Sequence, residues 1–292
     1  MGNTFKNAVV VGGGTMGSGI AQVLLESGIR IVLIEVDEPR AQAVYEQVKT
    51  GIRSKLVYEN NRQDTPEVDK AVAAIMAGLS VSVGFPEPTS VWFPDLVVES
   101  VFEDLNVKSG VLGAVESAYP NCPLVATNTS SLSIDALGST LSRPERFIGM
   151  HFFNPVSRSS LIELVTGSYT SVPTVDSAKS LVAKVGKESI LVHDSPGFAT
   201  SRLGIILGLE AIRMVEEGVA SAADIDQGMV LGYKHPIGPL KLTDMVGLDI
   251  RLAISEYLEQ KLGPRFSPPK LLREMVARGE LGKKSGRGFY EW

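Results

Sequence analysis

The chain has 292 residues, 44% of them hydrophobic, and 28 Lys and Arg against 33 Asp and Glu give a formal net charge of −5. That is apolar material for one large core or two domains, and the negative balance argues against nucleic acid or an anionic membrane surface as partner. A single cysteine, Cys122, excludes an internal disulfide framework, and with three histidines it shows no ligand spacing, so no metal is expected.

Residues 7–11 are a short β-branched run that reads as a buried parallel strand. It runs into Gly12-Gly13-Gly14-Thr15-Met16-Gly17, which fits G-x-G-x-x-G with Gly12, Gly14 and Gly17 in register. Ile20, Val23 and Leu24 then share one face of a helix. Gly12 makes the tight turn, Gly14 lets backbone amides approach a pyrophosphate, and Gly17 lets helix and strand pack closely. The helix N-terminus, with Thr15 and Met16, offers unpaired N–H groups and a positive dipole end. A second apolar run, residues 30–34, ends in Glu35, at the interval expected for the acid that grips an adenine ribose diol. A carboxylate there repels a 2′-phosphate, so NAD is favoured over NADP. Asp37 competes for the role but lies past the strand, toward Pro39.

From Pro39 to about Ala77 a charged, helix-biased segment carries Arg53, Lys55, Arg62 and Lys70. Asn60-Asn61 and Pro66 divide it into a helical hairpin. Further strands are expected at residues 81–83, 95–99, 123–127, 147–151, 161–165 and 189–192, with a helix at 107–118. Strands alternating with helices at this spacing imply a doubly wound, Rossmann-like α/β domain over residues 1–193. From residue 194 the pattern is all-helical to 292, with helices expected at 203–214, 224–230, 243–258 and 268–278. Gly204 and Gly208 allow close helix contact there, which serves either a homodimer through this domain or the domain's own core.

The acid–base chemistry concentrates around His151. It ends an apolar run that turns at Asn154-Pro155, and Glu163 lies in the next apolar run. If the two runs pair as antiparallel neighbours, imidazole and carboxylate face each other. A His held and charged by a buried carboxylate is a general acid–base device working near neutral pH. Beside a nucleotide fold, it points to proton removal from an alcohol as hydride leaves the same carbon. Ligands of open parallel sheets bind beyond the carboxyl ends of the strands, where the glycine loop, Glu99, Glu103, Asn128 to Ser131, His151 and Asn154 all fall. The Ser130 hydroxyl can donate to a carbonyl or alkoxide oxygen, and its competing use is a helix N-cap. For Asn154 the competing use is a turn residue before Pro155. His193 and His235 read as structural.

These segments together resemble the 3-hydroxyacyl-CoA dehydrogenase family, including the short 3-hydroxybutyryl-CoA dehydrogenases of bacteria. The resemblance covers essentially the whole chain, through residues 12–21, 99–108, 128–134, 151–155, 194–198, 235–239 and 282–290. It implies NAD-dependent interconversion of (S)-3-hydroxyacyl-CoA and 3-ketoacyl-CoA, short-chain such as 3-hydroxybutyryl-CoA, within fatty acid metabolism. His151 would be the acid–base residue and Glu163 its partner. Ser130 would contact the substrate 3-oxygen and the nicotinamide side, and Asn154 would order the cofactor and the His loop. Glu35, Glu103, Lys108 and Asn128 would complete the NAD contacts. The acyl-CoA phosphates would meet basic residues of the hairpin, with Arg53 and Lys55 as candidates. Ser201 departs from the family pattern, which usually has Asn there to position the substrate.

Two other functions stay open on these residues: a dehydrogenase of a free or carrier-bound hydroxy acid, and a non-catalytic NAD-binding sensor or structural protein. No window nears the ~18 consecutive apolar residues that span a bilayer, and no secretory h-region precedes the first strand. Lys6 stands where a myristoylation signal at Gly2 wants Ser or Thr. A cytoplasmic protein is expected.

Overall fold

The computed structural model describes residues 5–89 and 92–292, so Gly2 lies outside the described residues. The chain divides into two compact units, Met1–Asp194 and Ser195–Trp292.

The first unit is built on one eight-stranded sheet. Its strands are β1 (Asn7–Val11), β2 (Arg30–Glu35), β3 (Leu79–Val83), β4 (Leu96–Glu99), β5 (Val125–Thr127), β6 (Phe147–Phe152), β7 (Leu161–Thr166) and β8 (Glu188–His193). Their spatial order is β3-β2-β1-β4-β5-β6-β7-β8. All neighbours are parallel except β6 and β7, which are antiparallel. The order reverses between β1 and β4, and it is at such a switch point that a doubly wound sheet opens a crevice for a ligand. Every residue of β1, β4 and β6 is buried, as expected of strands covered by helices on both faces. β8 forms the edge and has an alternating, largely exposed pattern.

The covering helices are α1 (Thr15–Glu26), α2 (Glu38–Glu59), α3 (Pro66–Met76), α4 (Leu105–Ala118), α5 (Ile134–Gly138) and α6 (Val172–Lys184). Ile20, Val23 and Leu24 of α1 are buried against Ile31, Leu33 and the α2 face of Val44, Val48 and Ile52. Side chains fix where most helices begin. Asp37 accepts from the Arg40 amide, Asp104 from Asn106 and Val107, Ser133 from Ala136, and Ser171 from Thr174. Such a cap satisfies amides that the helix itself leaves unpaired.

The second unit is helical: α7 (Thr200–Glu216), α8 (Ala222–Tyr233), α9 (Pro239–Val246), α10 (Leu248–Leu262) and α11 (Lys270–Ala277). Its core holds Ile205, Leu209, Ile212, Leu240, Leu248, Leu258, Phe266 and Leu272. The single helix expected over 243–258 is two, because Gly247 adopts φ +106°, a left-handed conformation outside the helical range. Gly204 and Gly208 serve the unit's own packing. A Cβ on Gly208 would sit 3.2 Å from Thr243 Oγ1, and one on Gly204 would sit 3.6 Å from the buried Arg251 guanidinium. Among the described residues, no helix is long and apolar enough to cross a membrane, and no group of three or more His, Cys, Asp or Glu could hold a metal ion.

Candidate active site

The switch point of the sheet carries the glycine loop. Gly12 has φ +92°, and a Cβ there would lie 2.7 Å from the Ser100 carbonyl oxygen. A Cβ on Gly17 would lie 1.8 Å from the Gly12 carbonyl oxygen, which no side chain could tolerate. Gly14 differs from both. It is exposed, is the N-cap of α1 with no side-chain cap bond, and would have nothing within 4 Å of a Cβ. The two outer glycines therefore close the loop, and the middle one leaves open space before the first amides of α1, next to Thr15 and Met16. An uncapped helix N-terminus facing open space suits a pyrophosphate.

Glu35 ends β2 beside this loop. Its Oε1 accepts from the Gly13 amide at 2.7 Å and its Oε2 from the Val36 amide at 3.1 Å. Asp37, the rival acid, is committed to capping α2. Gly13 was not singled out from the motif, yet a Cβ there would be 2.6 Å from Val44 Cγ2 and 2.8 Å from Glu35 Oε1. The run of three glycines was the available signal.

Beyond β4 lies a charged cluster. Glu99 and Lys108 are both fully buried, with Lys108 Nζ 2.8 and 3.0 Å from the two Glu99 oxygens. The same ammonium is 3.4 Å from Glu103 Oε2 and donates to the Val101 carbonyl at 3.3 Å. Lys108, expected as a cofactor contact, is enclosed between the two carboxylates of Glu99 and Glu103. Glu103 Oε1 is within reach of five donors. The Thr129 hydroxyl at 2.6 Å and the Ser130 amide at 2.8 Å are the closest. The Ser131 amide lies at 3.2 Å and the hydroxyls of Ser130 and Ser131 at 3.2 and 3.3 Å. One oxygen has two lone pairs, so the long hydroxyl contacts are the ones most easily released. Burial works to raise the Glu103 pKa, but the Lys108 charge and the bonds from Thr129 and Ser130 outweigh it and hold the group below its ordinary value. The helix cap considered for Ser130 is made by Ser133.

His151 and Glu163 stand directly opposite in the antiparallel β6–β7 register, and His151 Nδ1 lies 2.9 Å from Glu163 Oε2. Glu163 is 0% exposed and His151 8%. A carboxylate only accepts, so Nδ1 carries the hydrogen of this bond. The Phe153 ring lies 4.4 Å from the imidazole, tilted by 43°. Asn128 pins the strand end: its Oδ1 accepts from the Phe152 amide at 3.0 Å, and its main-chain N–H donates to the Glu99 carbonyl at 2.7 Å. β1, β4, β5 and β6 are parallel, so the glycine loop, Glu99, Asn128 and His151 share one sheet edge.

Asn154 is exposed at the Asn154–Pro155 cis peptide. Arg53 is paired with Asp69 and Asp64, and Lys55 with Glu26 at 2.7 Å, so both hairpin cations already have carboxylate partners. Ser201 lies in the first turn of α7, in the second unit, and is part-buried.

Comparison with known proteins covers essentially the whole chain. Residues 7–195 match the family model described as 3-hydroxyacyl-CoA dehydrogenase, NAD binding domain, and residues 197–292 the one described as 3-hydroxyacyl-CoA dehydrogenase, C-terminal domain. The chain is 37% identical over 288 residues to the probable 3-hydroxybutyryl-CoA dehydrogenase of Bacillus subtilis, covering 98% of this chain and 97% of that one. It is 36% identical to the mitochondrial hydroxyacyl-coenzyme A dehydrogenase of Sus scrofa, over 98% of this chain and 91% of that one. The crystal structure of (S)-3-hydroxybutyryl-CoA dehydrogenase from Ralstonia eutropha is similar with a TM-score of 0.89 at 36% identity, covering 99% of each chain. A dinucleotide loop at the switch point, an acid at the end of β2 and matches to both halves of one family establish that the chain belongs to the 3-hydroxyacyl-CoA dehydrogenases, NAD-dependent oxidoreductases acting on CH–OH groups.

Proposed function

We propose that this enzyme interconverts short-chain (S)-3-hydroxyacyl-CoA, such as 3-hydroxybutyryl-CoA, and the matching 3-ketoacyl-CoA, with His151 and Glu163 as its acid–base pair. The observation that carries this reading is the facing of His151 and Glu163 at 2.9 Å, on the same sheet edge as the glycine loop. NAD, when bound, supplies the hydride acceptor for the substrate carbon. Gly12, Gly14, Thr15, Met16 and Gly17 would hold its pyrophosphate, and Glu35 its adenine ribose. In the oxidation, His151 Nε2 removes the proton of the 3-hydroxyl, and the anionic Glu163 stabilises the imidazolium that results. In the reduction, the imidazolium returns that proton to the developing alkoxide. The Ser130 hydroxyl, loosely held on Glu103, turns to the substrate 3-oxygen, while Asn128 and Asn154 steady the loops on either side. Ser201 would meet the substrate in place of the Asn that the resemblance implies, a shorter side chain that leaves room for a bridging water.

The test is a steady-state panel of 3-ketoacyl-CoA substrates of increasing length with NADH and with NADPH. The expected outcome is turnover of acetoacetyl-CoA with NADH and at least about tenfold lower kcat/KM with NADPH. A tenfold difference corresponds to about 1.4 kcal/mol. Equal rates with both cofactors would remove Glu35 from the ribose site. Equal rates with acetoacetyl-CoA and its pantetheine analogue would favour a free or carrier-bound substrate.

The reading includes a homodimer through the second unit. Leu203, Met245, Val246 and Ile250 are 68, 51, 38 and 44% exposed, apolar surface that a second copy would cover. Light scattering on the eluted protein is expected to give about twice 31.3 kDa, and a monomer mass at micromolar concentration would refute the dimer.

A further inference from the structure

Glu99 is a fully buried carboxylate with no part in the proton transfer just described. It is the last residue of β4, in register with Val11 of β1 and Thr127 of β5, so it lies at the carboxyl edge of the sheet. A buried anion is expensive unless every lone pair is used. Glu99 meets that condition through Lys108 at 2.8 and 3.0 Å, the Val101 amide at 2.6 Å and the Thr127 hydroxyl. If stability alone were at stake, an apolar pair of similar volume would serve as well or better. The arrangement does something an apolar pair cannot.

We propose that Glu99 is a positioning residue for the reaction, anchoring Lys108 so that Glu103 holds the Ser130 loop at the substrate 3-oxygen. Lys108 is shared: one side is bound to Glu99, and the other lies 3.4 Å from Glu103 Oε2. The place of the ammonium, set by Glu99, fixes the carboxylate of Glu103, and Glu103 Oε1 gathers Thr129, Ser130 and Ser131. A second, main-chain link runs the other way. The Glu99 carbonyl accepts the Asn128 amide at 2.7 Å, and Asn128 Oδ1 accepts the amide of Phe152, the residue after His151. One strand end thus sets both the hydroxyl and the imidazole that the chemistry uses. The inference rests on the assignment of Ser130 to the substrate given above.

Glu99→Gln keeps the shape of the side chain and removes the charge that locates Lys108. It is expected to lower kcat for acetoacetyl-CoA reduction about tenfold while changing the KM for acetoacetyl-CoA and the Kd for NADH by less than about threefold. In a Ser130→Ala background the same change is expected to lower kcat by less than about twofold, because residues acting through one another are not additive. A wild-type kcat for Glu99→Gln, or the same loss in both backgrounds, would overturn the proposal. Should Glu99→Gln fold poorly, Glu99→Gln with Lys108→Met removes both charges together and enters the same comparison, with the same expected and contrary results. Failure of the acid–base reading shows separately, as wild-type turnover in His151→Ala with Glu99 intact.

Discussion

Replacing His151 with Ala is expected to lower kcat for acetoacetyl-CoA reduction by about 10²–10⁴-fold, the usual range for a lost general acid–base group. NADH affinity should change by less than about threefold, because the residues assigned to the pyrophosphate and adenine ribose follow β1 and end β2, whereas His151 is the penultimate residue of β6. The separation matters: a collapse of the fold would abolish both properties, and a lost proton donor abolishes only one. The substitution removes a ring that is 8% exposed and packed against Phe153, so the buried Glu163 would lose its bond to the imidazole. Some loss of thermal stability is therefore expected as well. His151→Gln is a useful companion, since it can still donate to Glu163 yet cannot shuttle a proton. Steady-state rates and a fluorescence titration with NADH check the outcome. A wild-type kcat in His151→Ala would exclude the role.

Gly17→Ala should be the most damaging single-methyl change in the first unit. The added carbon would fall 1.8 Å from the Gly12 carbonyl oxygen, so loop and helix must separate by more than an ångström. Overpacking of a tight site costs about 1–3 kcal/mol and sometimes more, and for a unit of this size each kcal/mol lowers Tm by roughly 2–4 °C. The displacement also moves the first amides of α1 away from the place where a pyrophosphate would sit. The expected result is a Tm lower by about 3–10 °C and at least about tenfold weaker NADH binding, read by calorimetry and fluorescence. Gly14→Ala is the contrast, since its Cβ would meet nothing within 4 Å of the chain. It should leave Tm nearly unchanged and act on the cofactor alone. Equal thermal effects of the two substitutions would contradict this division of labour between the glycines.

The readable parts of the structure were those set by short-range rules. The β1 run, the glycine spacing and the β2 acid fall within residues 7–35 and obey local turn and packing chemistry. The facing of His151 and Glu163 follows from two apolar runs joined by one turn, because a strand's period of two fixes which residues share a face. Other features depended on groups far apart in sequence. Lys108 has an ordinary place on an amphipathic helix, and nothing nearby announces that it closes on Glu99 and Glu103. Serines gave no hint of which would cap α5, since Ser130, Ser131 and Ser133 all precede the same apolar run and only Ser133 reaches the Ala136 amide. Arg53 and Lys55 read as free cations until the hairpin brought Asp69 and the α1 residue Glu26 against them. Gly247 lay inside a helix-compatible pattern, and a lone glycine there is only a weak break signal. The Gly-rich tail was visible as a motif but its reason was not. Gly282 and Gly288 are small because the buried Asp244 comes within 2.3 Å of where their Cβ atoms would be, and that carboxylate accepts the amides of Phe289 and Tyr290.

The account stands on His151 and Glu163 acting as one unit, and single-turnover rates of NADH oxidation by acetoacetyl-CoA test that most directly. In the wild type, Glu163→Gln should slow the reaction about 10–100-fold, since a neutral partner no longer stabilises the imidazolium. In His151→Ala the same substitution should change the rate by less than about threefold. Full, multiplicative losses in the doubly substituted enzyme would mean that the carboxylate works independently of the imidazole, against the geometry of β6 and β7.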